Sequence, residues 1–373
     1  MKVRTLAYDR QQGWDDLTPA GAANLVILFG CSSLLDHKDV VAALADAAPG
    51  AAIVGCSTAG EILGSEVRDG CAVAAVVEFD SASVRYATTT ISSATSYDAG
   101  KQIAHELNAE DLKAVFVLSD GIDVNGSELV RGTADHLQEG VVITGGLAGD
   151  GDRFERTWVI SNGRPAERAV GAVGFYGDRI RVGHGSKGGW DVFGPERLVT
   201  RSEGNIVFEI DGRPALALYK EYLGELASGL PATGLLFPLS VRTPDSDREL
   251  VRTILGVDEE SQSLIFAGDV PTGHHATLMQ ANFDRLVEGA EDAARLTKTP
   301  DLAGSVLSIA ISCVGRRLVL GSRVEEEVEA TLDVLPAGTT QLGFYSYGEI
   351  SPLVSGSCEL HNQTMTLTTI AET

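Results

Sequence analysis

Three stretches of the chain share one order of apolar and polar positions. In the first, Leu25-Val26-Ile27-Leu28-Phe29 is an unbroken apolar run ending in Gly30-Cys31-Ser32-Ser33. After Asp36, residues Val40, Val41, Leu44 and Ala48 recur at helical spacing, and Pro49-Gly50 stops that helix. A short run, Ala52-Ile53-Val54, then enters Gly55-Cys56-Ser57-Thr58-Ala59-Gly60-Glu61. The order recurs with a strand at 115–118, an end loop Ser119-Asp120-Gly121 and a helix face of Leu129, Val130, Ala134 and Leu137. A strand at 141–143 leads into Thr144-Gly145-Gly146-Leu147-Ala148-Gly149-Asp150. The third stretch has a strand at 306–311 ending in Ser312-Cys313-Val314-Gly315-Arg316-Arg317. Its helix carries Val324, Val328, Leu332 and Leu335, and its closing run is Gly343-Phe344-Tyr345-Ser346-Tyr347-Gly348-Glu349-Ile350. Such self-similarity marks a repeated supersecondary unit.

Apolar runs that do not alternate predict strands covered on both faces. Strand–helix–strand units predict right-handed crossovers and neighbouring parallel strands. The expectation is therefore an α/β fold of two domains, built from repeated strand–helix–strand units with mixed, largely parallel sheets. Residues 70–86 and 169–182 each read as two strands around an acidic turn, at Asp80 and Asp178. In the middle of the chain, 209–214 reads as a strand and turn before a helix at 215–226. Segments 263–267 and 275–279 read as a further strand pair, followed by a helix bearing Phe283, Leu286, Val287, Ala290 and Ala294.

Composition narrows the function classes. The chain has 373 residues, 44% of them hydrophobic, enough for large cores. No apolar run approaches the roughly 20 residues of a membrane helix, and no signal peptide opens the chain, so no membrane insertion is expected. The net charge of −23 repels phosphate backbones, which argues against nucleic acid as a partner. Five scattered cysteines form no C-x-x-C pair, and the seven histidines show no ligand spacing. This reads as a reduced, cytoplasmic protein with no metal site.

Ligands of open α/β sheets bind beyond the carboxyl ends of strands, where glycines let them approach the backbone. The repeated loops hold that position. Gly60, Gly145, Gly146 and Gly149 supply tight turns, and Cys56, Ser57, Thr58, Glu61, Asp120, Asp150, Tyr345, Tyr347 and Glu349 supply polar side chains. Glycines that only permit turns are the other reading. No G-x-G-x-x-G order and no phosphate loop is present, so a nucleotide site is not supported. Cys56 could be a nucleophile only with a base within hydrogen-bond reach, and no histidine lies near it in sequence. Arg316 and Arg317 would suit an anionic ligand, or an ion pair with one of the many acids. His184, in a glycine-rich stretch followed by Trp190, is the most suggestive histidine.

Taken in order, these segments resemble the FIST family of sensory proteins. The residues carrying the resemblance are Gly55 to Ile62, Gly145 to Asp150, Gly204-Asn205, Asp211 to Ala215, Tyr222-Leu223-Gly224, Ala281 to Arg285, Ser312 to Arg317 and Gly343 to Ile350. The resemblance implies an N-terminal segment over 1–24 and a FIST N-like domain over 25–215, duplicated internally at about 25–93 and 113–190. A FIST C-like domain over 216–355 and a C-terminal tail, read as a strand, over 356–373 would follow. It also implies a non-catalytic intracellular signal-input module that binds an amino acid or related metabolite. The two regions use nearly all of the chain, so a signal would pass to a separate protein such as a histidine kinase. Two alternatives stand beside this reading. One is a haem-binding nitric oxide sensor, with His184 as the axial ligand to test and haem as the cofactor. The other is a cysteine-dependent hydrolase or transferase using Cys56 or Cys313.

Overall fold

A computed structural model describes residues 1–36, 38–161, 163–244, 249–298, 305–353 and 356–373. The expected domain end at 355 lies outside them. Among these residues four sheets form, and three of them share a strand order. The first runs 164–166, 159–161, 52–58, 25–31, 72–78, 2–9, 13–14. The second runs 358–361, 348–352, 142–147, 112–119, 169–176, 83–90, and the third runs 66–68, 61–63, 340–346, 306–313, 365–372, 180–187. Each centres on one parallel pair (25–31 with 52–58, 112–119 with 142–147, 306–313 with 340–346).

The sheets are mixed, but the expectation that they are largely parallel is corrected. Every other strand pairing among the described residues is antiparallel. The physical reason lies in the connections. Each strand–helix–strand unit supplies one helical crossover and so one parallel pair, and the strands that flank that pair enter from later or distant segments running the opposite way. The two strands around Asp80 and those around Asp178 form as expected but do not pair with each other. Strand Ala72–Glu78 joins the first sheet while Ser83–Thr90 pairs with Ala169–Tyr176 in the second.

The short hairpin after each parallel pair leaves its own sheet and completes another. Glu61–Leu63 pairs with Thr340–Ser346, Val159–Ser161 pairs with Ala52–Thr58, and Gly348–Pro352 pairs with Val142–Leu147. The exchange is cyclic. The inner faces of all three sheets meet in one core that includes Phe29, Phe116, Ile309 and Phe344. The Phe29 and Phe344 rings lie 4.6 Å apart. Helices cover the outer faces, Lys38–Ala47 on the first sheet and Phe283–Leu296 with Val324–Val334 on the third.

The fourth sheet has nine strands among the described residues between 191 and 280, all antiparallel, with helix Ala215–Leu223 packed on its own core. Strands Ser263–Phe266 and His275–Gln280 both belong to it, yet they pair with other strands rather than with each other. The position 215/216 falls inside this sheet's core, and the third sheet draws strands from both sides of it. The N-terminal strand Lys2–Asp9 pairs along Ala72–Glu78, and the tail strand Met365–Glu372 is buried in the third sheet between Ile180–Lys187 and Val306–Cys313. No helix of the described residues is long and apolar enough to cross a membrane.

Glu372 ties this tail to the first sheet. Its carboxylate accepts the Ser81 hydroxyl and the backbone N–H groups of Asp80, Ser81 and Ala82 at 2.6–2.7 Å. Burial opposes ionisation, but these donors hold the carboxyl at about 2. The folded carboxyl titrates below its unfolded value, so its contribution is present above the ordinary carboxylate range and fades as pH falls toward 2. Glu372→Gln is expected to cost about 2 kcal/mol in urea denaturation at pH 7, since charged hydrogen bonds are worth 1.5–3. The difference from wild type should shrink steadily as pH is lowered from 5 to 3.

Candidate functional site

The three glycine-rich loops converge on a common junction and interlock there. Ala59 N–H donates to the Tyr345 carbonyl at 2.8 Å, Tyr347 N–H to Leu147 at 3.3 Å, and Gly149 N–H to Ser57 at 2.8 Å. Donor and acceptor hold matching positions in each loop, counted from Gly55, Gly145 and Gly343. The loop glycines are used by neighbouring protein. A Cβ at Gly55, Gly145 or Gly343 would overlap the carbonyl oxygen of Leu28, Val117 or Ala310 on the paired strand. At Gly60 it would overlap the Arg317 guanidinium, at Gly149 it would lie 2.6 Å from the Ala59 nitrogen, and Gly146 faces Ile311 at 3.0 Å.

The polar residues of the junction are mostly buried and partnered. Ser57 Oγ accepts the Trp158 N–H at 3.0 Å. Asp120 accepts the N–H groups of Ile122 and Asp123 at 2.8 Å and the Thr157 hydroxyl at 2.9 Å, which fixes a turn. Asp150 accepts from Ser32, Arg153 and the backbone of Glu155 and Arg156. Burial opposes ionisation of Asp150, yet these donors hold its carboxyl below the usual range. Tyr347 stacks on Phe154 at 4.2 Å and donates to the Gly151 carbonyl at 3.1 Å.

Two sequence readings are corrected here. Arg316 is wholly buried and pairs with Glu327 at 2.7 Å, with further donation to the Leu286 and Gly188 carbonyls, so it does not face a ligand. Tyr345 is sealed beside it and donates to Glu327 at 2.8 Å. Cys56 and Cys313 are buried, and burial pushes both thiols up, so neither is an accessible nucleophile. Arg317 reaches the Ala59 carbonyl and Asp69, and its guanidinium lies 5.4 Å from the centre of the Tyr345 ring.

Glu61 and Glu349 occupy matching loop ends. Glu61 accepts from the Thr58 hydroxyl and, at 3.3 Å, from the Cys71 thiol, and burial raises its carboxyl to about 7. Glu349 accepts from Ser346 at 2.6 Å and from the Thr364 hydroxyl and N–H at 2.9 and 3.2 Å, and burial raises it to about 8.

Thr364 connects Glu349 to open space. It lines a cleft of about 790 Å³ walled by the core at His184, Ser186, Lys187 and Trp190 and by the inserted sheet at Glu249, Val251 and Met279. His184 is not in a loop. It sits on strand Ile180–Lys187 opposite Thr368, because Gly183 and Gly185 let helix Phe283–Leu296 lie against the strand. A Cβ at either glycine would overlap the Thr297 or Ala293 carbonyl. Burial lowers the His184 pKa and so favours its neutral form. Ser186, on the same face, accepts the Thr366 hydroxyl at 2.9 Å.

The cleft's basic residues were missed in the sequence. Lys187, Arg285 and Lys298 all line it. Arg285 pairs with Asp191 at 3.2 Å, whereas Lys187 and Lys298 have no ion pair among the described residues. Only the strand alternation His184-x-Ser186 could have placed two lining residues on one face. A second cleft, about 710 Å³, lies between helix Gly126–Ala134 and the inserted sheet. Its Arg252 is engaged with the Leu360 and Asp269 carbonyls at 2.9 and 3.1 Å, pinning the inserted sheet to the second sheet. No cluster of three metal-ligating side chains occurs among the described residues.

The arrangement is that of a multi-sheet α/β protein with ligand-sized clefts between its core and an inserted sheet. The FIST N domain matches residues 24–213 and the FIST C domain residues 215–352, so the chain belongs to the FIST family, whose domains are sensory and signalling domains. It is 25% identical over 372 residues to an uncharacterized protein of Methanocaldococcus jannaschii, covering 88% of this chain and 66% of that one. It is 26% identical over 374 residues to an uncharacterized protein of Mycobacterium tuberculosis, covering 93% and 91%. A crystal structure of cyanuric acid hydrolase from A. caulinodans aligns with 12% identity over 78% of this chain and 99% of that one. The TM-score is 0.18.

Proposed function

We propose that the protein is a non-catalytic sensory protein that binds a small carboxylate-bearing metabolite, such as an amino acid, in the cleft beside His184. One observation carries this reading: a chain of net charge −23 gathers Lys187, Arg285 and Lys298 around a cleft that Ser186, Thr297 and Thr364 also line. Cationic rims raise the local concentration of anions, and a few hydroxyls supply orienting hydrogen bonds. Core and inserted sheet both wall the cleft, so a ligand touching both favours one arrangement of the two by its differential affinity. That arrangement would be read by a separate signalling protein, a histidine kinase being the expected kind.

A second reading uses the same cleft for haem. Its support is that His184 is half-buried and held in the neutral form that ligates iron. Here His184 would hold the iron, the cationic rim would face the propionates, and the group would supply binding of a diatomic gas.

One screen tests both. Amino acids, dicarboxylates and haem are added to the purified protein, and melting temperature and the visible spectrum are read. A ligand at a hundredfold excess over Kd is expected to add about 2.7 kcal/mol of stability. Lys187→Glu should remove that gain for a carboxylate, and His184→Ala should remove a Soret band for haem. No shift with any compound, or a shift indifferent to both variants, overturns the assignment.

A further inference from the structure

Two half-exposed cysteines sit at the ends of neighbouring strands of the first sheet. Cys31 ends strand Leu25–Cys31, and Cys71 immediately precedes strand Ala72–Glu78. These strands are antiparallel, with Gly30 opposite Ala72 as the last registered pair. One step further, Cys31 N–H donates to the Cys71 carbonyl at 3.0 Å, which sets the two cysteines opposite each other. A hydrogen-bonded pair in such a ladder has Cα atoms about 5.5 Å apart. A disulfide accepts Cα separations of about 4.4–6.8 Å. The remaining approach falls on two strand ends, and Gly70 at φ +69° already turns the chain beside Cys71.

The neighbours of the two sulfurs differ in kind. Cys31 Sγ has Ser33 Oγ at 3.3 Å and the Arg10 guanidinium at 3.6 Å. Cys71 Sγ donates its proton to Glu61 Oε2 at 3.3 Å. One thiol thus has donors beside it, where a leaving oxygen would form, and the other already points its proton at a carboxylate.

We propose that Cys31 and Cys71 are an oxidation site that a hydroperoxide converts to a cross-strand disulfide, with Cys31 attacking, Cys71 resolving and Glu61 receiving the Cys71 proton. In the first step the Cys31 sulfur attacks the terminal peroxide oxygen and the O–O bond breaks. The departing oxygen takes the proton that Cys31 gives up and leaves as water or an alcohol. Cys31 is now a sulfenic acid. In the second step the Cys71 sulfur attacks the Cys31 sulfur as Glu61 takes the thiol proton. The S–O bond breaks, and the hydroxide collects that proton from Glu61 and leaves as water. Two thiols lose two electrons and one hydroperoxide is reduced. Burial and the neighbouring Glu61 push the Cys71 thiol up, so its proton must leave as the sulfur attacks, and Glu61, held by burial at about 7 and already hydrogen-bonded to that thiol, is placed to take and return it. Oxidation removes the thiol donor from Glu61 and leaves Thr58 as its side-chain partner at the loop that interlocks with Tyr345.

The test treats the intact protein with a small excess of hydrogen peroxide, quenches it, unfolds it and alkylates all free thiols. Mass spectrometry is expected to find two fewer alkylated thiols than in the untreated protein, a peptide linking Cys31 to Cys71, and full reversal by dithiothreitol. Cys71→Ser should strand Cys31 as a sulfenic acid that dimedone traps. Glu61→Gln should slow closure of the disulfide about a hundredfold while increasing dimedone trapping, the size expected for loss of a general base. All thiols still alkylating after peroxide, or Cys31 over-oxidised while Cys71 stays free, overturns the pair. Closure at the wild-type rate in Glu61→Gln overturns the role of Glu61.

Discussion

Arg316→Met is expected to lower stability by about 3–5 kcal/mol, the cost of breaking a buried ion pair from one side. The Arg316 guanidinium gives Glu327 hydrogen bonds of 2.9 and 2.7 Å and the Leu286 carbonyl one of 2.7 Å. It also reaches Gly188. These partners lie on helix Val324–Val334, on helix Phe283–Leu296 and in the turn after strand Ile180–Lys187, so one side chain joins three segments. Without it, Glu327 keeps Ser312 at 2.9 Å and Tyr345 at 2.8 Å but loses its only charge partner among the described residues. The carbonyls of Leu286 and Gly188 lose their donor as well. Pairing the change with Glu327→Leu should recover part of the loss, because the uncompensated charge is then gone. Urea denaturation decides the matter. A single variant within 1 kcal/mol of wild type would show that the pair contributes little.

Gly145→Ala is the second large effect. At φ +144° an added Cβ would overlap the Val117 carbonyl oxygen on the paired parallel strand. Relief requires separating two central strands, and the backbone itself is strained for any side chain, so a loss of about 4 kcal/mol or more is expected. Gly146→Ala is the internal control. Its new methyl would meet Ile311 Cγ2 at 3.0 Å and the Gly348 carbonyl at 3.1 Å, a contact that side-chain adjustment relieves in part. The adjacent variant should therefore cost clearly less, as read from paired thermal melts. Equal, small losses would return these glycines to a role in ligand approach.

These two residues show what could be read from the chain and what could not. The central strands 25–31, 112–119 and 306–313 were legible because both of their faces are buried, and burial writes an unbroken apolar run. The helix Gly126–Ala134, capped by Asn125, was legible from its stripe. Partnership between strands was not. Glu61–Leu63 and Val159–Ser161 are three residues long, too short to carry a pattern, and which sheet each one completes depends on the whole assembly. Arg316 gave the same local signal for an anion site as for an ion pair, and only the position of Glu327 decides between them. The rim cations fared worse. Lys187 and Lys298 are 111 residues apart in sequence, and no local rule brings them to one cleft.

The cyclic exchange of hairpins also sets an order of events for a growing chain. The first sheet needs Val159–Ser161, the second needs Gly348–Pro352, and the third needs Met365–Glu372 between its flanking strands. A nascent chain that has emerged through residue 300 therefore holds its first sheet complete, its second with an open edge, and its third represented only by the hairpin 61–68 and the single strand 180–187. Strand 61–63 has only its hairpin partner 66–68 until 340–346 is made, and strand 180–187 waits unpaired for the last strand, 365–372. Contacts so distant in sequence close slowly, and exposed edges invite pairing with other chains. Expression of shortened versions is thus expected to fail by aggregation rather than yield a free-standing first half.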